Sequence, residues 1–116
     1  MADIEYWHNP RCSKSRAGLA LLEEHGASLR VRKYLDDAPS LDELRQVQQA
    51  LGTPPVITMM RTGEARFKEL GLSKQDPDEV LLAAMAENPI LIERPLAMCG
   101  DRAVIGRPTE ALLDLL

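Results

Sequence analysis

Ile4-Glu5-Tyr6-Trp7-His8-Asn9-Pro10-Arg11-Cys12-Ser13-Lys14-Ser15-Arg16 is the stretch that decides the fold. Its opening, Ile4 to Trp7, reads as a short strand, too brief and apolar to show alternation. The Ala/Leu-rich run that follows, Ala17 to Leu22, reads as a helix. Cys12 therefore falls at a strand-to-helix turn, near a helix N-terminus. Unpaired backbone N–H groups and the helix dipole at such a place favour negative charge. Arg11, Lys14 and Arg16 add positive charge close by in sequence. A cysteine so placed is expected to have a lowered pKa and to be largely thiolate, and the same N–H groups can hold an oxyanion. Nucleophile and anion cradle in one loop point to chemistry on an anionic substrate. The plainer reading makes Cys12 a small buried hydrophobe and the charges a solvated helix face. Local sequence leaves both standing.

Outward from this loop, the helix is expected to run to about His25 and to stop at Gly26, a natural residue just past a helix end. Leu29 to Leu35 alternates, with Leu29, Val31, Lys33 and Leu35 against Arg30, Arg32 and Tyr34. That is a strand signal, blurred at Lys33 and Tyr34. Strand, helix and strand in this order imply a parallel pair joined by a right-handed crossover. Ser40-Leu41-Asp42-Glu43 fits a capping box and opens a second helix, with Leu41, Leu44, Val47 and Leu51 at helical spacing and Gly52 at its end. Val56 to Met60 fits a short helix or a strand. Ala65 to Leu70 reads as one or two helical turns closed by Gly71. Asp76-Pro77-Asp78-Glu79 starts another helix, with Asp76 as cap and Pro77 in first position, ending near Glu87. Its apolar side is read as Val80, Leu81, Ala84 and Met85. Leu96 to Cys99 and Ala103 to Ile105 flank the turn Gly100-Asp101-Arg102, a hairpin. Gly106-Arg107-Pro108-Thr109 caps a last short helix, Glu110 to Leu116. The sum is an α/β chain whose mixed sheet is flanked by helices, with an inserted helical region at about 40–88.

The chain has 116 residues, which fits one domain spanning 1–116. With only Tyr6, Trp7, Tyr34 and Phe67 as aromatics, the core must be mostly aliphatic. Fourteen basic and 18 acidic residues give a net charge of −4, which argues against general nucleic-acid or membrane affinity but leaves room for a local basic pocket. No apolar stretch approaches membrane-spanning length, and the N-terminus lacks the order of a secretory signal. Two cysteines, Cys12 and Cys99, build no disulfide framework, so a reducing, cytoplasmic setting is expected.

Among residues that can carry chemistry, Cys12 is the candidate nucleophile. Ser15 occupies the place of a second cysteine in a C-x-x-C pair, so a simple intramolecular dithiol mechanism is absent. Cys99, in the hairpin, is read as a core or surface residue. His8 is placed to lower the thiol pKa as imidazolium or to shuttle a proton; otherwise it is a loop histidine bonded to backbone. Arg61 lies at a turn, and Arg94 and Arg107 each precede a proline, which favours an extended conformation. Arginine offers a planar fork suited to tetrahedral oxyanions. No metal-ligand spacing, Gly-rich phosphate loop or Ser-His-Asp arrangement is visible.

Taken together, these motifs resemble the glutaredoxin-coupled arsenate reductase family over essentially the whole chain. The resemblance rests on His8-Asn9-Pro10-x-Cys12 with Ser15 and Arg16, on Tyr34-Leu35 with Pro39, and on Met60-Arg61. It continues through Glu69-Leu70-Gly71-Leu72, Asn88-Pro89-Ile90-Leu91-Ile92-Glu93-Arg94-Pro95 and Gly106-Arg107-Pro108. It implies a thioredoxin-like fold with a helical insertion, and a cis bond at Pro95 opposite the Cys12 loop. It implies thiol-dependent reduction of arsenate to arsenite through a Cys12 adduct, with His8 tuning the thiol. Arg61, Arg94 and Arg107 would hold the oxyanion, and Ser15 and Pro95 would support them. Glutathione and glutaredoxin would be the reductants, with no bound cofactor or metal, and the protein is expected to act as a monomer. Cys12-Ser13-Lys14-Ser15 is similar to a housekeeping branch of the family, and the chain is expected to lack the C-terminal extension of longer members. The rival implication is a regulator of the Spx type, which shares the fold and binds RNA polymerase. Many such regulators keep the C-x-x-C that Ser15 interrupts here. A general thiol-disulfide oxidoreductase is a third reading.

Overall fold

The computed structural model describes residues 3–116. The chain forms two compact units, one made of the chain up to Asp37 together with Arg94–Leu116, the other of Ala38–Glu93.

The first unit carries the sheet. Strand β1 (Ile4–Trp7) leads through the Cys12 loop into helix α1 (Ser13–Glu24) and strand β2 (Leu29–Arg32). Strands β3 (Leu96–Cys99) and β4 (Arg102–Ile105) form the hairpin. The order across the sheet is β2-β1-β3-β4. β1 pairs parallel with β2 and antiparallel with β3, placing Tyr6 opposite Val31 on one side and Ala97 on the other. The central position of β1 explains its uniformly apolar ends: Ile4, Tyr6 and Trp7 are all buried. Ile4, Tyr6, Leu22, Ala97, Leu112 and Leu115 make one core cluster between the sheet, α1 and the C-terminal turns. Gly26, with φ of 73°, turns the chain out of α1 in the left-handed region open to glycine.

Helix α1 lies close to the sheet because Gly18 has no side chain. A Cβ there would come within 2.5 Å of the Tyr6 hydroxyl and 2.7 Å of Leu112 Cδ1. Gly106 is confined in the same way, with Pro95 Cγ at 2.8 Å from a Cβ placed on it.

Two expectations for this unit are corrected. β2 ends at Arg32, not Leu35. Its partner among the described residues, β1, ends at Trp7, the last rung is His8 N–H donating to the Arg32 carbonyl, and Lys33 then opens a turn closed by the Asp36 and Asp37 N–H groups. The turn breaks the alternation, so Tyr34 is buried while Val31 and Leu35 are exposed. The last helix is a 3₁₀ helix, Thr109–Leu115, in which Leu112 and Leu115 face the core. Their spacing of three suits its three-residue turn.

The second unit is helical. Helix α2 (Leu41–Ala50) begins with a complete capping box: Glu43 N–H donates to Ser40 Oγ and Ser40 N–H to Glu43 Oε1. A 3₁₀ turn, Val56–Met59, precedes Met60, which bridges antiparallel to Ile92, so this apolar run takes part of each shape it allowed. Helix α3 (Ala65–Glu69) is followed by α4 (Asp78–Glu87). Asp76 does not cap α4. Its carboxylate accepts the Ser73 N–H, and Pro77 itself stands at the cap. Leu81 and Met85 are buried as expected, but Val80 is exposed and Leu82, outside the expected side, is buried.

Candidate active site

Cys12 is the N-cap residue of α1, in extended conformation with φ −95° and ψ 122°. The loop before it is pinned from both ends. Cys12 N–H donates to the Asn9 carbonyl, Arg11 N–H to Asn9 Oδ1, and Arg16 Nη1 to the Pro10 carbonyl. Cys12 is buried, at 8% exposure. It makes no short cap bond of the serine kind, but the sulfur faces the N–H groups of Ser15 and Lys14. Arg94 Nε donates to Cys12 Sγ at 3.1 Å. Burial pushes the thiol up; the Ser15 N–H, the Arg94 hydrogen bond and charge, and the Lys14 N–H together outweigh it, leaving the thiol below its ordinary value.

Arg94 is itself held through the chain next to it. Arg107 Nε donates to the Arg94 carbonyl at 2.9 Å, and Gly106 N–H donates to the Pro95 carbonyl. The Arg94–Pro95 bond is cis, and so is Arg107–Pro108, for which the sequence offered no signal. Thus Cys12, Ser15, Arg94, Pro95 and Arg107 come together in the first unit. Arg61 belongs to the second unit, where its Nη1 pairs with Glu64 Oε2 at 2.9 Å.

Ser15 is the hub of the loop. It is fully buried, its Oγ lies 2.7 Å from His8 Nδ1, and it accepts the Asn9 N–H. Its carbonyl accepts the Tyr6 hydroxyl at 2.6 Å. Tyr6 is raised to about 12, chiefly by burial and against the pull of its Ser15 bond, so it stays a neutral donor. His8 is lowered from its ordinary value, first by burial and then by the charges of Lys33 and Arg16. The imidazolium expected beside the thiolate is thus disfavoured, and His8 reaches the site through Ser15. Tyr6 and Asn9 were missed from sequence. Tyr6 looked like core alone, and Asn9 acts mainly through its backbone. Among the described residues no three His, Cys, Asp or Glu side chains gather as a metal site, and no helix is long and apolar enough to cross a membrane.

The ArsC family model matches residues 7–115. The chain belongs to the ArsC family. An arsenate reductase of Neisseria meningitidis serogroup B is 47% identical, over the full length of both chains. One of Haemophilus influenzae is 43% identical, over 95% of this chain and 96% of that one. The solved arsenate reductase of Vibrio cholerae superposes with a TM-score of 0.94 at 48% identity, covering 99% of this chain and 98% of that one. The mixed four-stranded sheet with its helices is the thioredoxin-like ArsC fold.

Proposed function

We propose that this protein reduces arsenate to arsenite, with Cys12 as nucleophile and an external thiol as the source of electrons. The observation that carries this reading is the 3.1 Å contact between the Arg94 guanidinium and the Cys12 sulfur. A thiolate and an arsenate oxyanion repel each other, and a cation touching the sulfur offsets that repulsion where the As–S bond must form. The relatives named arsenate reductases support the choice of substrate.

The chemistry follows from what the loop offers. The Cys12 thiolate attacks As(V), an As–S bond forms, and one oxygen leaves as water after protonation. A second thiol is then needed. Ser15 stands where a resolving cysteine would be, with its hydroxyl held against His8 and Asn9. Glutathione therefore attacks the adduct, and glutaredoxin resolves the product by thiol exchange. Over the cycle two thiols give up two electrons and become a disulfide, while arsenate loses one oxygen as water and becomes arsenite. Arg94 and Arg107 hold the anion, joined by Arg61 as the family resemblance implies. His8 acts as a positioning residue through Ser15 rather than by charge.

The test is arsenite release with glutathione alone, with glutathione and glutaredoxin, and with thioredoxin. Full turnover only in the second mixture supports the reading. Equal turnover with thioredoxin, or none in any mixture, contradicts it.

A further inference from the structure

The first unit has a small groove of about 80 Å³ lined by Lys14, Gly106, Arg107, Pro108 and Thr109. Neither Cys12 nor Arg94 lines it, so it is not the place where an arsenic atom could bond the sulfur. It is nevertheless tied to the Cys12 loop twice. Lys14 lines the groove and stands two residues after Cys12 in the first turn of α1. Arg107 lines it and donates Nε to the carbonyl of Arg94, which in turn donates to the sulfur. One wall is fixed, because Gly106 is clamped between Pro95 and Leu112 and bonded to the Pro95 carbonyl. The small size of the groove suits a compact group such as a carboxylate. The lining includes a lysine, an arginine and a threonine, and no acidic residue.

We propose that this groove is a carboxylate subsite for the external thiol. It would bind a carboxylate carried a few bonds from the sulfur and so aim that sulfur at Cys12. The inference rests on the reading above for the need of an external thiol, and it adds Lys14 and Thr109 as residues that select which thiol reacts.

The selection can be read without arsenate. The Cys12 thiolate attacks one sulfur of a symmetric disulfide, the S–S bond breaks, a mixed disulfide forms on Cys12 and one thiolate leaves. Electrons balance without a further reductant. In a Cys99→Ser background, the rates with 3,3′-dithiodipropionate and with uncharged 2-hydroxyethyl disulfide are measured side by side. Their ratio cancels any change in the thiolate fraction. Lys14→Met and Thr109→Val are expected to lower the ratio about three- to tenfold, with most of the loss on the charged reagent. Arg11→Met removes a nearby charge outside the groove and is expected to change the ratio much less. An unchanged ratio in Lys14→Met, an equal loss with both reagents, or an equal fall in Arg11→Met would overturn the proposal. A protein that shows the expected selectivity but no arsenate turnover would keep the subsite and refute the arsenate reading.

Discussion

Arg94 Nε stands 3.1 Å from Cys12 Sγ, although 82 positions separate the two residues in the chain. The contact is made inside one structural unit, by β1 and β3 lying side by side and delivering the two loops to the same end of the sheet. Removing the guanidinium leaves burial acting on the thiol with less to oppose it. Arg94→Ala should raise the pH midpoint of Cys12 alkylation, because a charge-assisted hydrogen bond to the thiolate is lost. Arg94→Lys should recover part of the shift, since it keeps the charge and loses the fork. Alkylation rates against pH in a Cys99→Ser background measure both.

Ser15→Ala should damage the loop more than a surface serine would. The change leaves His8 Nδ1 and the Asn9 N–H without the hydroxyl that joins them. Unsatisfied groups of this kind cost about 1–3 kcal/mol in unfolding free energy. Urea unfolding gives that figure, and the same variant should alkylate more slowly at neutral pH. Ser15→Thr, which keeps the hydroxyl, should recover the alkylation rate if its methyl fits.

Gly18→Ala should destabilise the fold even though alanine favours a helix by about 1 kcal/mol over glycine. The added methyl meets the Tyr6 hydroxyl and Leu112 at distances no packed carbon keeps. Overpacking of about 1–3 kcal/mol is expected to exceed the helical gain. A lower melting temperature in calorimetry checks it, and a rise would show that α1 can move off the sheet.

His8 gives a pH dependence of stability. Burial, with Lys33 and Arg16, favours the neutral ring in the folded protein. Below about pH 6.5 the unfolded chain then binds a proton that the folded one resists. The contribution of His8 is fully present above that pH and is lost as the pH falls toward the lower folded value. Stability measured at pH 7.5 and 5.5 should drop more in wild type than in His8→Asn. Equal drops would place the His8 titration at its ordinary value.

Much of the fold was readable because its signals are local. The Ser40–Glu43 box needs only four residues, and Gly26 marks the end of α1 by its own conformation. Tyr34 and Leu35 were misread because the length of β2 is set by its partner, which stops at Trp7. Val80 and Leu82 exchanged roles because α4 is apolar on most of its surface, so spacing alone did not choose a face. At the site, Cys12 and its helix N-terminus were visible in one loop. The Arg94 contact was available only through motifs scattered along the chain. The Tyr6–Ser15–His8 links needed the strand and helix to be packed before they could be seen.

The most direct measurement is arsenite formation from arsenate with glutathione and glutaredoxin, in wild type and in Cys12→Ser, with unfolding curves showing that both proteins are folded. The account predicts steady turnover by the wild type and none above background in Cys12→Ser. Equal arsenite from both proteins, or none from a folded wild type, would contradict it.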